Sequence, residues 1–154
     1  MPQFPTNGLT LAQANRIAEA ALAKGRALNL QPLTVVVLDA GGQVKAVQRE
    51  DGCSLMRPEI ATGKAYGALA LGTGSRELAK RAQNPQMQGF VNALSDLTGG
   101  RAVPVPGGVL ACSANGVVLG SVGISGDVSA QDEACCIAGI EAAGLKPDTG
   151  ETPA

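Results

Sequence analysis

An α+β fold, with a mainly antiparallel sheet flanked by helices, is predicted here by three features of the sequence. Two apolar, β-branched segments each return through a short glycine-containing turn, at Asp39-Ala40-Gly41-Gly42 and at Asn115-Gly116. Parallel strands need a crossover of about a dozen residues, so both pairs are antiparallel hairpins. Around them lie segments with apolar residues at helical spacing, which gives the order helix, hairpin, helices, hairpin, helix.

The first helix is expected over Thr10 to Asn29. Thr10 and Gln13 form a capping box, and Leu11, Ala14, Ile17, Ala18, Ala21, Leu22 and Leu28 make one apolar stripe. Leu33 to Leu38 is a Val-rich run, the pattern of a central strand buried on both faces. After the turn, Gln43 to Arg49 alternates polar and apolar residues, so it is a half-exposed partner strand. Pro58 to Leu71 is rich in Ala and Gly. There Gly63 and Gly67, with Ala61, Ala65 and Ala68, form a helix surface that a neighbour can approach closely. Two further helices, Arg76 to Gln83 and Gln86 to Leu97, are split by Asn84-Pro85 and ended by Thr98-Gly99-Gly100. Pro104 to Gly108 leads into a strand over Val109 to Ser113, and Val117 to Ile124 returns as the last strand. Ser129 is expected to cap the final helix, with Asp132 at its third position; Gly144 stops it and Pro147 lies beyond.

No linker or internal repeat divides the 154 residues, so residues 1–154 read as one domain, with a core from about 9 to 145 and a frayed polar tail over 148–154. At 45% apolar the chain fills a core without disulfides or metal. Its 16% charged residues fall below the typical value of about 25%, which suggests that copies of the chain cover part of one another's surface. Histidine is absent. That excludes Ser-His-Asp triads, Cys–His pairs, His-ligated zinc and haem held by a proximal His. Aromatic residues at 2% leave little to stack bases on, and 12 Lys+Arg against 13 Asp+Glu form no basic stripe. Nucleic acid and anionic membrane surfaces are therefore not expected partners. Cys53, Cys112, Cys135 and Cys136 contain no C-x-x-C and read as buried small hydrophobes of a cytoplasmic protein. Met1 to Pro5 carry neither the basic nor the apolar region of a signal peptide, and no stretch reaches the length of a membrane span.

Three places carry candidate chemistry. The run Gly120 to Asp127 feeds a helix N-terminus, where backbone N–H groups favour anions. Its spacing is neither GxGxxG nor a P-loop, and Asp127, Asp132 and Glu133 already supply negative charge there. It reads as a turn with a helix cap or as the rim of a small-ligand pocket. No metal site is assigned, because Asp132 and Glu133 are adjacent on a helix and point apart. Arg49 either forks onto a ligand carboxylate or pairs with a nearby acid. Lys64, among Ala and Gly, is an amine for base or Schiff-base chemistry, a charge contact for an anionic ligand, or a side chain reaching to water. Ser54, Ser75 and Ser95 have no base to activate them. Met56 and Met87 are expected as core filler, and Tyr66 as a packed ring with a satisfied hydroxyl.

Taken in order, Asp39-x-x-Gly42, Arg49-x-Asp51-Gly52, Ala61-x-x-Lys64-Ala65, Gly107-Gly108, Gly123-Ile124-Ser125-Gly126 and Gln131-Asp132-Glu133 resemble the GlcG/HbpS family. Its members are described as haem-binding or haem-degrading domains and include the carboxy-terminal domain of PduO-type corrinoid adenosyltransferases. The resemblance runs from about residue 9 to residue 145. It implies a profilin-like fold, homo-oligomers that are often octamers, and a pocket at Arg49, Lys64, Gly108, Ser125, Gly126, Asp132 and Glu133. It also implies haem or another tetrapyrrole as a ligand class. Without histidine the axial candidates are Met56 and Tyr66, with propionates on Arg49 or Lys64. A small-ligand-binding protein is the first functional reading. An enzyme or accessory protein acting on a small organic acid in a catabolic pathway is the second, and a structural oligomer without ligand is the third. No complete catalytic set is present.

Overall fold

Alternation along the first strand decides the layering: successive side chains of a strand point to opposite faces, and here both faces are buried. The computed structural model describes Pro2 and residues 8–151. The leader reading of Met1 to Pro5, Pro2 apart, and the tail residues 152–154 lie outside the described residues. Among those described, the elements run α1 (Leu11–Ala27), β1 (Thr34–Asp39), β2 (Val44–Arg49), α2 (Arg57–Leu71), α3 (Ser75–Gln83), α4 (Gln88–Leu97), β3 (Gly108–Cys112), β4 (Val118–Ser125), α5 (Ser129–Ala142) and β5 (Lys146–Asp148). The sheet order is β2-β1-β4-β3-β5 and every pairing is antiparallel. The α+β architecture is therefore the one expected from the two hairpins. They lie side by side through β1 and β4, with Thr34 opposite Ser125.

One face of the sheet is covered by α1 and α5. Ala14, Ile17, Ala18 and Ala21 pack with Cys135, Cys136 and Ile140 on Val35, Val37, Val109, Val122 and Ile124. On the other face α2 sits over Val36 and Leu38 through Ala61 and Ala65, and over Leu110 through Ala68. Its backbone lies directly on two paired glycines, Gly108 and Gly123. A Cβ on Gly108 would stand 2.1 Å from the Lys64 carbonyl oxygen, and one on Gly123 would stand 1.9 Å from that of Ala61. The outer side of α2 is equally tight: a Cβ on Gly63 would meet Val103 at 2.4 Å. The small-residue helix is thus a close-packing surface within the chain. It leaves β2 uncovered on this face, where Val44 and Val47 stay exposed beside Leu38 and Val36.

The capping box at Thr10 forms as expected: the Gln13 N–H donates to Thr10 Oγ1 at 3.1 Å, and the Thr10 N–H to Gln13 Oε1 at 2.9 Å. Three expectations are corrected. The last helix is capped at Val128, not Ser129, which is its first helical residue. No side chain caps that end; the acids hold the turn before it, with Asp127 Oδ1 accepting the Val128 N–H and Asp132 Oδ1 accepting the Asp127 N–H. Met56 is not core filler. It is exposed in the turn before α2, beyond the end of the sheet, and Met87 is only half-buried. Asp148 is not frayed, because β5 pairs with the outer edge of β3. Pro147 is tolerated there because an edge strand needs no further N–H. Among the described residues no helix is long and apolar enough to cross a membrane.

Candidate functional site

The candidate site lies at the end of the sheet where β1 starts and β2 and β4 finish. Arg49 closes β2 opposite Thr34, and its guanidinium donates to the Cys53 carbonyl. The chain then turns through Gly52 at φ +84°, a left-handed conformation that suits glycine. Glu50 pins this loop: its carboxylate accepts the Leu33 N–H at 2.7 Å and pairs with Arg26 at 2.8 Å. The nearby-acid pairing weighed for Arg49 therefore falls to Arg26. The loop ends at Arg57, the first residue of α2, whose Nη1 donates to Ser125 Oγ at 3.2 Å. Gln31, Pro32, Gly52, Cys53, Ser54, Arg57 and Gly126 enclose a cleft of about 200 Å³. Beyond Pro32 a second, wider cleft of about 440 Å³ is bounded by Arg26, Arg49, Glu50 and Asp51.

Of the seven pocket residues expected from the sequence, the structure brings Arg49 and Gly126 to these clefts, while Ser125 is buried behind them as the acceptor of the Arg57 guanidinium. It sets Lys64 and Asp132 in the core instead. Lys64 Nζ lies 2.9 Å from Asp132 Oδ2 and donates at 2.9 Å to the Ile124 carbonyl, with both side chains almost wholly buried. Lys64 belongs to α2 and Asp132 to α5, so the pair ties the two layers together past the end of β3. Gly107 makes room for the ammonium, since a Cβ there would stand 3.0 Å from Nζ. Burial pushes the Asp132 carboxyl above its usual range, and the Lys64 ammonium opposes that rise. Gly108 donates its N–H to Ser75 Oγ at 2.8 Å, and Ser75 in turn donates to the Val105 carbonyl. Glu133 takes a forked contact from Arg76, at 2.5 Å to Nη2 and 2.9 Å to Nε, which holds that guanidinium more firmly protonated.

Reasoning from sequence missed Arg57 and Arg76. A signal for Arg57 was present, because a cation in the first turn of a helix opposes the macrodipole and calls for a local reason. The Ser125 hydroxyl supplies one, as its hydrogen-bond partner, and the Asp127 carboxylate lies near. The N–H groups of Gln31 and Val128 hold its pKa below the usual range, with Arg57 adding to the effect. Met56 stands beside the cleft with its side chain exposed. Tyr66 lies ten residues on, about 15 Å along the helix axis. Its ring packs against the Val36–Leu38 cluster under the Arg101 guanidinium, 4.4 Å from its centroid. The two haem-ligand candidates do not converge on one point. Two of the thiols do not replace them: burial pushes Cys136 well above its usual range and Cys135 up to about 11, so neither is a thiolate at neutral pH. Met56, Tyr66, Cys135 and Cys136 of one chain do not fit an axially ligated haem.

Residues 9–141 match the family of HbpS-like haem-degrading proteins. The chain belongs to that family. It is 34% identical over 125 residues to an uncharacterised 15.0 kDa protein of the dhaT-dhaS intergenic region of Citrobacter freundii, covering 80% of this chain and 84% of that one. Among solved structures it resembles a PduOC:heme complex, with a TM-score of 0.80 at 26% identity over 90% of this chain and 96% of that one. It equally resembles the Klebsiella pneumoniae protein ORFY, with a TM-score of 0.80 at 26% identity over 94% and 96%. The shared fold is therefore one that in the PduOC relative is seen as a haem complex.

Proposed function

We propose that this protein binds a small organic acid in the Arg57 cleft, as a binding or accessory protein without a complete catalytic set. One observation carries the reading: Arg57 lines the cleft with a hydroxyl as its hydrogen-bond partner and, among the described residues, no ion pair. Its remaining donors form the planar fork that grips a carboxylate. Size agrees. At about 30 Å³ per water, 200 Å³ admits roughly six or seven water-sized groups, the bulk of a small acid. Ser54 offers a hydroxyl to the same ligand. The four free, buried thiols support a cytoplasmic setting, and exposed Val44 and Val47 support a homo-oligomer.

The test is thermal melting with lactate, pyruvate, malate and oxalate. At a hundredfold excess over its Kd a true ligand adds about 2.7 kcal/mol of stability. At least one acid is expected to raise the Tm of the wild type and to leave Arg57→Ala unmoved, with the free variant still folded. No shift with any acid refutes the reading. The haem complex of the PduOC relative favours a second reading, a tetrapyrrole held through its propionates by Arg49 and Arg57. A saturable Soret shift with micromolar haemin, in the absence of any acid response, would select it.

A further inference from the structure

We infer that the buried Lys64–Asp132 pair is the positioning element of the Arg57 cleft and not a contact for its ligand; the inference rests on the ligand reading above. The wall of the cleft opposite the 52–54 turn includes Gly126, with Ser125 buried behind it, and the run Ser125-Gly126 is fixed from both sides. Before it, the Ile124 carbonyl accepts from Lys64 Nζ at 2.9 Å, and the Ile124 N–H donates to the Gly107 carbonyl at 2.9 Å. After it, the Asp127 N–H donates to Asp132 Oδ1 at 3.0 Å. The two carboxylate oxygens of Asp132 thus join the two anchors, one holding Lys64 and the other the Asp127 amide. Between the anchors, Ser125 Oγ receives Arg57 and Gly126 presses on the opposing wall, where a Cβ would stand 2.3 Å from the Pro32 carbonyl oxygen.

Neither charged side chain lines either cleft. A buried ion pair adds little stability over an apolar pair of similar volume, and its replacement is often neutral. An apolar pair, however, holds neither a carbonyl nor an amide. The property lost on replacement is the placement of Ser125 and Gly126, and through Ser125 the aim of the Arg57 guanidinium.

The experiment compares wild type, Lys64→Met/Asp132→Leu and Asp132→Asn. Two quantities are read: amide hydrogen exchange at Asp127 by NMR, and affinity for pyruvate, or whichever of the four acids shifts the wild type most. The double variant is expected to stay folded. Its Asp127 amide should exchange roughly tenfold faster, and its ligand affinity should drop by a similar factor. Asp132→Asn keeps an acceptor for the Asp127 amide, and is expected to retain most of that protection and affinity. It also decides the case if the double variant does not fold. A folded double variant with unchanged Asp127 exchange and unchanged affinity overturns the inference, as does an Asp132→Asn protein that is stable but loses both. If no acid binds the wild type, the ligand reading falls, and exchange at Asp127 together with the Arg57 Nε–H resonance still decides whether the pair sets the wall.

Discussion

A guanidinium in the first turn of α2 faces the positive end of the helix dipole, where Glu59 of the same turn offsets it and Arg57 adds slightly to the charge-favouring surroundings of Asp127. The Asp127 carboxylate accepts the N–H groups of Gln31 and Val128 at 2.8 Å each, which favours its charged form in the fold. Its stabilisation is therefore complete above the ordinary value of 3.8 and is lost as pH falls through the lower folded value. Asp127→Asn is expected to flatten this acid limb. Between about pH 6 and about pH 3, the urea midpoint of the wild type should fall further than that of the variant, and equal falls would show that Asp127 contributes nothing to acid sensitivity. At this scale the sequence was only partly legible. Arg49 could be named because it ends a strand, and Ser125 and Gly126 because they lie in a motif of the family the sequence resembles. Lys64 could not be resolved, since its partner Asp132 lies 68 residues away and nothing local distinguishes a buried tie from a ligand contact.

Among the elements, α2 shows how similar residues acquire different duties. Gly67 and Gly123 are both buried glycines beneath or within the same packing layer. A Cβ on Gly67 would meet Leu78 at 3.5 Å, an ordinary contact, whereas one on Gly123 would stand 1.9 Å from the Ala61 carbonyl oxygen. Gly67→Ala is expected to stabilise by about 0.5–1 kcal/mol through helix propensity. Gly123→Ala should destabilise by about 3 kcal/mol or prevent folding, because backbone and not a flexible side chain blocks it. Denaturant midpoints of the two variants check this, and effects of the same sign would undo the account of how α2 meets the sheet. Both hairpins were legible because their turns and alternation are local. The strand β5 was not: its three residues include a proline and gain strand character only from the edge of β3. The Ala/Gly surface of α2 was legible as a close-packing face, but not its neighbours, the paired glycines Gly108 and Gly123 and the 101–103 segment.

For the whole molecule, two helical layers clamped on one sheet leave the four cysteines buried and unpaired. Their chemistry bears on the ligand. A thiolate is the form that binds iron, and burial raises Cys112, Cys135 and Cys136 above the usual thiol value of 9.0. With no histidine in the chain, Met56 exposed and Tyr66 packed elsewhere, the proposed ligand reading rests on the polar Arg57 cleft. The same thiols are expected to make the fold sensitive to alkali. In the unfolded chain they ionise near 9, while in the native core Cys135 holds its proton to about 11 and Cys136 holds its own longer. The native state therefore binds more protons than the unfolded state above pH 9, and stability falls as pH rises through the window from 9 to about 11. Urea midpoints taken at about pH 8 and about pH 10.5 should differ more for the wild type than for Cys135→Ala. Equal differences would mean that the Cys135 thiol is as free to ionise in the fold as in the unfolded chain. A thiolate would then be available inside the protein, and thiolate ligation of haem would return as a reading that the buried core now opposes.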